Sequence, residues 1–275
     1  MKLAALHSDI DSHFQLGAEQ LDLFRRDGFV KMKHVLSPAT LSAYGEEISR
    51  LTIALNRQTK ALEDRSTYDK AFLQVMNLWE HSPVVREFVF GKRLAQIATD
   101  LLEVDGVRLY HDQSLYKEAS GGITPAHADQ YYWPLASDRT VTAWIPLQPV
   151  PVEMGPVAFY AGSQRVTLGR ELGISDDSER RITSTMEAQG FPMVIEAFEL
   201  GEVSFHGGWT FHRAGANTTA QPRSVMTIIY MDQDMRLKEP NNAAQRNDWM
   251  TWCPGAVPGE PIRTAKNPLL YTKPK

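Results

Sequence analysis

Three residues of this chain have the types and spacing to hold a metal ion. His127 and Asp129 flank Ala128, and His212 lies far downstream in Trp209-Thr210-Phe211-His212-Arg213-Ala214-Gly215. Residues two apart on a β-strand point to the same face, so His127 and Asp129 would present an imidazole nitrogen and a carboxylate oxygen side by side. A histidine from another strand completes a 2-His-1-carboxylate facial triad, which leaves positions open on Fe(II) for a cosubstrate and O2. Spacing alone does not choose between His212 and His206, since both lie in one short stretch. A second His-x-Asp, His7-Ser8-Asp9, with Asp11 and His13 close behind, has no strand pattern around it and reads as a solvated leader. His34, His81 and His111 lack a carboxylate two residues on and are expected to play ordinary structural roles.

Such a triad needs a rigid frame, and composition allows one. The chain has 275 residues, 43% of them hydrophobic, enough for a substantial core. A net charge of −4 and a pI near 6.1 give no global attraction for nucleic acid or an anionic membrane, so a small molecule is the expected partner. Cys253 is the only cysteine, which excludes an intramolecular disulfide and the usual thiolate zinc sites and fits a reducing compartment. The stretch from Met1 to Asp9 turns acidic before an apolar core of signal-peptide length develops, and no later run approaches a membrane span. A cytoplasmic protein is expected, with a homo-oligomer left open.

Two textures follow one another along the chain. Residues 18–102 read as helical: a short helix closed by Gly28, then one opened by Ser37 at the N-cap and Pro38 at the first turn, with Leu41, Tyr44, Ile48, Leu51 and Leu55 at helical spacing. Segments 68–80, 83–90 and 92–102 continue in that manner, with Phe72, Trp79, Phe88 and Phe90 expected in the core. From Gly106 the pattern becomes one of short strands split by Gly and Pro, namely 107–117, the stretch around His127, 140–147, 157–160, 193–195, 202–205 and 223–230. This predicts a sandwich or jelly roll over 106–232, a double-stranded β-helix flanked by N-terminal helices. The polar interval 161–191 reads as a solvated excursion or a lid, and the Pro-, Asn- and Gly-rich tail after 236 as a surface wrap. No repeat or linker divides the chain, so 1–275 is expected to be one domain, with 233–275 as its tail.

In this order the motifs resemble the phytanoyl-CoA dioxygenase (PhyH-like) family of Fe(II)/2-oxoglutarate-dependent oxygenases. The likeness begins at Phe24-Arg25-Arg26-Asp27-Gly28-Phe29-Val30 and the run from Val35-Leu36-Ser37 to Leu41. It continues through His127-x-Asp129, Trp144-Ile145-Pro146-Leu147 and Gly155-Pro156-Val157, and ends at His212-Arg213-Ala214-Gly215-Ala216-Asn217 and Pro222-Arg223. The resemblance implies a jelly-roll (cupin-like) enzyme with His127, Asp129 and His212 as iron ligands, because the histidine nearer the Gly-x-Asn segment is the distal ligand in such proteins. It implies Fe(II), 2-oxoglutarate and O2 as the reacting set, with ascorbate supportive.

Arg223 matches the arginine that binds the distal carboxylate of 2-oxoglutarate, a group that a guanidinium fork meets with two parallel hydrogen bonds. The interval from His212 to Arg223 suggests a turn at Asn217 to Pro222 and a return beside the distal-ligand strand. Thr124, Gln113 and Trp144 are further candidates around the cosubstrate. If the strand through Asp129 continues, Tyr131 and Trp133 share its parity and line the substrate pocket, with Tyr132 on the opposite side. Arg213 either meets an acidic substrate group or points to solvent.

Halogenating relatives carry a small residue in place of the carboxylate, so Asp129 implies oxygenation, with hydroxylation of a metabolite or natural-product intermediate as the expected outcome and desaturation or ring formation as variants. The contrasting reading is a cupin-like protein that binds metal or ligand without 2-oxoglutarate chemistry.

Overall fold

The computed structural model describes residues 2–274. Its helices are α1 (Lys2–Asp11), α2 (Ala18–Asp27), α3 (Pro38–Leu55), α4 (Thr67–Ala71), α5 (Pro83–Val89), α6 (Lys92–Leu101), α7 (Asp176–Ala188) and α8 (Ala243–Trp252). The strands are β1 (Phe29–Met32), β2 (Leu73–Met76), β3 (Gly106–Lys117), β4 (Thr124–His127), β5 (Thr140–Pro146), β6 (Val157–Tyr160), β7 (Met193–Ile195), β8 (Val203–Gly207), β9 (His212–Ala214), β10 (Arg223–Asp232) and β11 (Leu269–Thr272). Local chemistry sets several boundaries. Gly28 closes α2 in the left-handed conformation, and the Ser37 hydroxyl accepts from the Thr40 amide at 3.1 Å with Pro38 in the first turn of α3.

All strand pairings are antiparallel and form two sheets. The larger runs β1-β8-β5-β10-β3-β11, with β2 also on β3, and the smaller runs β4-β9-β6-β7. The helices α3, α5 and α6 cover one face of the large sheet, where Ile48, Phe88 and Ile97 pack on Val141, Ala143, Ile145, Phe205 and Ile228. Its other face meets the small sheet through Trp144 and Val225 against Val157 and Phe159, and the Phe29 and Phe159 rings stack 4.3 Å apart. The fold is thus the jelly-roll class with flanking helices.

Alternation along the large sheet sorts core from site. On β5, residues 141, 143 and 145 face the helices, so Thr142 and Trp144 face the small sheet. On β3 the alternation is interrupted: Ile229 pairs with His111 and Tyr230 with Leu109, leaving Tyr110 as a bulged residue. Val107 and Leu109 therefore face the helical core, while His111, Gln113 and Leu115, of the same odd parity, face the opposite side.

Outside the cleft, four segments depart from the sequence reading. Residues 68–80 are not a helix: after α4 the chain forms β2, whose pairing with β3 overrides helical spacing, and a short turn over Leu78–Glu80. Phe72 consequently leaves the core for a cavity wall. The interval 161–191 is more than a solvated excursion, because Ile182 and Met186 of α7 are buried against Ala126, Ala128 and Phe211. The tail after 236 is no loose wrap: Trp252 of α8 and Ile262 enter a core cluster with Tyr110 and Trp133, and β11 joins the large sheet beside β3. The His7-Ser8-Asp9 stretch lies in α1, where Asp9 accepts from Arg93 at 2.9 Å, Thr40 at 2.6 Å and the Ser37 amide at 2.8 Å, a structural tie instead of a mobile leader.

Candidate active site

Between the sheets lies a cleft enclosing about 910 Å³ of space not filled by protein, its mouth included. His127 on β4 and His212 on β9 are cross-strand partners, which sets their rings 4.3 Å apart. β4 ends at His127, but Ala128 stays extended, so Asp129 still turns to the same side before a single 3-10 turn begins. Asp129 Oδ1 lies 3.6 Å from His127 Nε2 and 3.7 Å from His212 Nε2. Among the described residues, these three side chains form the group able to hold a metal ion, with their ligand atoms all within 4.8 Å of one another.

Hydrogen bonding separates the two histidines that spacing left open. His127 Nδ1–H donates to the Pro125 carbonyl at 2.7 Å, and His212 Nδ1–H donates to the Thr210 carbonyl at 3.0 Å. A carbonyl only accepts, so both rings carry their proton on Nδ1 and turn a bare Nε2 lone pair to the centre, as metal-ligating histidines do. His206 has the opposite tautomer: its Nε2–H donates to Asp129 Oδ2 at 3.3 Å, and its buried Nδ1 has no partner. Thr142 Oγ1 donates to the same Oδ2 at 3.1 Å. His206 and Thr142 thus hold one carboxylate oxygen and leave the other facing the two bare nitrogens.

The electrostatics agree. Burial, with His127 close by, lowers the His212 pKa to about 3, so its imidazole is neutral. Burial of Asp129 works to raise its pKa, but the three surrounding histidines outweigh this and hold the carboxyl well below the ordinary value. A neutral imidazole and an ionised carboxylate are the forms that bind a divalent metal.

Arg223, at the start of β10, reaches the cleft from the large sheet. β10 pairs with β3 and β5, so the chain after His212 crosses between sheets and does not return beside β9 as a hairpin would. Arg223 is 1% exposed. It lies 5.5 Å from the Trp144 ring centre, donates to the Gly155 carbonyl, and leaves Nε without a partner. No acidic side chain pairs with it among the described residues, and burial lowers its pKa to about 9. Gly155 permits this contact because its φ of +66° is left-handed and a Cβ would lie 2.2 Å from the Gly215 carbonyl oxygen.

A buried cation with no counter-ion, facing an open cleft, fits an anionic guest. The Thr124 hydroxyl, also buried and unpartnered, lines the same space. Gln113 lines it too, its Oε1 accepting from Gln74 Nε2. The residues present therefore fit an iron ion with a bound keto acid: three ligand atoms, an orphaned guanidinium and free donors between them.

The remaining predicted residues divide. Trp133 lines the cleft, but the parity argument behind it does not hold, because the 3-10 turn over 129–131 ends the extended run and rotates the side chains. Tyr132 faces the cleft instead of Tyr131, and its hydroxyl accepts from the Ile174 amide at 2.7 Å. Tyr131 packs against Gly173 and the Tyr132 ring. Arg213 is neither in solvent nor free for an acidic substrate, because its guanidinium pairs with Glu179 of α7 at 2.7 Å, and Glu179 also accepts from the Ala126 amide at 2.7 Å.

Sequence reasoning missed Thr142, Phe72, Gln74, Met76, Asp248 and the cleft-facing role of His111. The Leu73-Gln74-Val75-Met76 alternation was the signal for β2. Nothing in sequence marked α8 as a wall of the site.

Comparison with known proteins agrees with fold and geometry. The carbocyclase SnoK from nogalamycin biosynthesis, described as non-haem and α-ketoglutarate-dependent, superposes with a TM-score of 0.75 at 26% identity, covering 93% of this chain and 96% of its own. The epimerase SnoN, solved with Fe3+, α-ketoglutarate and nogalamycin RO, gives 0.76 at 25% identity over 98% of this chain and 100% of its own. An ectoine dioxygenase from Sphingopyxis alaskensis is 23% identical over 98% of this chain and 92% of its own length. Site and fold define an iron- and 2-oxoglutarate-dependent dioxygenase. The chain belongs to the phytanoyl-CoA dioxygenase (PhyH) family, whose pattern matches residues 24–225.

Proposed function

We propose that the whole chain acts as one domain that hydroxylates a C–H bond of a small molecule, with His127, Asp129 and His212 as iron ligands and Arg223 as the anchor for 2-oxoglutarate. The observation carrying this reading is the pairing of a bare-nitrogen triad with a buried, acid-free guanidinium in one cleft. Bound iron supplies the O2 chemistry, in which 2-oxoglutarate, O2 and R–H become succinate, CO2 and R–OH.

The protein's part is positioning. Arg223 accepts the distal carboxylate in its fork while Trp144 holds the guanidinium plane from one side. Thr124 and Gln113 offer hydrogen bonds along the keto acid. His206 and Thr142 fix the Asp129 carboxylate so that Oδ1 stays directed at the metal position. Tyr132 and Trp133 narrow the substrate side and exclude water there. Arg213, tied to Glu179, keeps α7 against β4 and reaches the cleft wall without binding substrate directly.

The likeness to SnoK and SnoN supports ring closure or epimerisation as a second outcome at the same centre. The test is succinate release from 2-oxoglutarate with Fe(II) and ascorbate across a panel of small molecules under 18O2. One labelled atom in succinate and one in the product is expected for hydroxylation, and label in succinate alone marks the second outcome. No succinate with any compound, together with no calorimetric binding of 2-oxoglutarate, contradicts the oxygenase reading and returns the cupin-like binding protein.

A further inference from the structure

The wall of the cleft contributed by the tail carries a carboxyl that the oxygen chemistry does not use. Asp248, in the second turn of α8, lines the cleft. Its side chain accepts from the Tyr110 hydroxyl at 3.1 Å, and Tyr110 is the bulged residue that reverses the facing of β3. The helix is fixed around it. Asn242 caps α8 by accepting from the Gln245 amide at 2.8 Å, Gln245 Nε2 donates to the Tyr131 carbonyl at 3.1 Å, and the Trp252 ring lies 5.1 Å from His111.

The charges around the cleft are unbalanced on this side. Two carboxyls line it, and Asp129 is consumed by the three histidines. Two guanidiniums line it: Arg223 faces the keto-acid end and Arg213 is paired with Glu179. No ion pair among the described residues includes Asp248, which shares the cleft wall with Tyr132 and Trp133; the Trp133 ring lies 5.5 Å from that of Tyr110, the donor to Asp248. A carboxylate without a cation, set among aromatic faces, is the arrangement that recognises an ammonium group, the carboxylate by charge and the rings by their quadrupoles. Burial pushes the Asp248 carboxyl up to about 7, against hydrogen bonds from Tyr110 and Trp252, which is the cost that a bound cation would relieve.

Building on the oxygenase reading above, we infer that Asp248 with Tyr132 and Trp133 forms a subsite for a protonated amine, so that the substrate is an amine-bearing, largely apolar small molecule. The amine is anchored at the α8 wall and the carbon to be oxidised lies toward the triad.

The test uses three shape-matched probes, phenethylamine, 2-phenylethanol and 3-phenylpropionate, titrated calorimetrically into the full-length chain loaded with Fe(II) and 2-oxoglutarate under nitrogen. The amine is expected to bind about tenfold tighter than the alcohol, with the anion weakest. In Asp248→Asn the amine and the alcohol should become equal within about twofold, with alcohol and 2-oxoglutarate affinities unchanged, which shows that the variant is folded and the keto-acid end intact. Equal binding of amine and alcohol by the wild type, a preference that survives Asp248→Asn, or no binding of any probe to the loaded protein each overturns the subsite. Failure of 2-oxoglutarate to bind in the first place counts against the oxygenase reading instead.

Discussion

The two ends of the cleft are built differently. The end proposed for iron and 2-oxoglutarate is carried by strands: His127 on β4, His212 on β9, Thr142 and Trp144 on β5, His206 on β8 and Arg223 on β10, with Asp129 one extended residue beyond β4. Paired strands fix their side chains through backbone register, and His127 opposite His212 is a direct product of it. The other end is assembled from segments remote in sequence: Phe72, Gln74 and Met76 at β2, Tyr132 and Trp133 after the 3-10 turn, Ile174 before α7, and Asp248 on α8. The proposed chemistry would thus sit on the paired strands, and the proposed substrate wall on the segments packed around them. Function placed in this way lets loops and added helices vary without disturbing the ligand geometry.

Substitutions should expose this division. The largest effect is expected from Asp129→Ala, which should lower succinate formation more than about a hundredfold with the circular-dichroism spectrum unchanged, because a lost ligand costs more than a lost outer partner. Arg223→Leu should follow, raising the KM for 2-oxoglutarate by about a hundredfold, since the distal carboxylate would meet no cation. His206→Ala should be milder than His212→Ala, weakening Fe(II) affinity by about tenfold, whereas His206→Gln keeps an N–H donor toward Asp129 Oδ2 and should restore most of it. If His206→Ala proves the more damaging of the two histidine changes, the ligand assignment is wrong. At the other end, Trp133→Leu should alter the KM for substrate by about tenfold and leave 2-oxoglutarate binding within about twofold, measured by calorimetry.

The smallest effect concerns stability. Lys117 is the cross-strand neighbour of Arg223, is fully buried, and donates to the Gly215 carbonyl at 3.0 Å. Burial, with Arg223 beside it, lowers its pKa to about 6 from the ordinary 10.5. Between those values the unfolded chain binds the proton that the folded chain releases, so this group opposes folding near neutrality and opposes it less as pH rises toward 10.5. The Tm of the wild type should therefore rise relative to Lys117→Met between pH 7 and pH 9, and a constant difference would exclude that account.

The strand-borne end was legible in sequence because its signals are local. His-x-Asp, the Gly-Pro turn before β6 and the short alternating strands each fit within one paired element. The choice of His212 over His206 came from resemblance, while the physical reason, opposite tautomers set by backbone carbonyls and by Asp129, exists only in three dimensions. The remote end was not legible because nothing local encodes it. The Tyr110 bulge changes which way His111 and Gln113 point without altering the alternation a reader would count. α4 and β2 replaced a helix because β3 offered a free edge, and the tail became a wall because Trp252 and Ile262 found apolar partners across the chain. Arg213 was misjudged for the same reason, since Glu179 comes from an interval that looked like a polar loop.

The central claim is that the triad and Arg223 hold iron and 2-oxoglutarate together. Anaerobic titration of the metal-free protein with Fe(II) and 2-oxoglutarate, followed by the visible charge-transfer absorbance of the chelated keto acid, tests this without knowledge of the substrate. The predicted result is a band saturating at one equivalent of each, lost in Asp129→Ala and needing far more 2-oxoglutarate in Arg223→Leu. A wild-type protein that gives no band, or a band unaffected by Asp129→Ala, would contradict it.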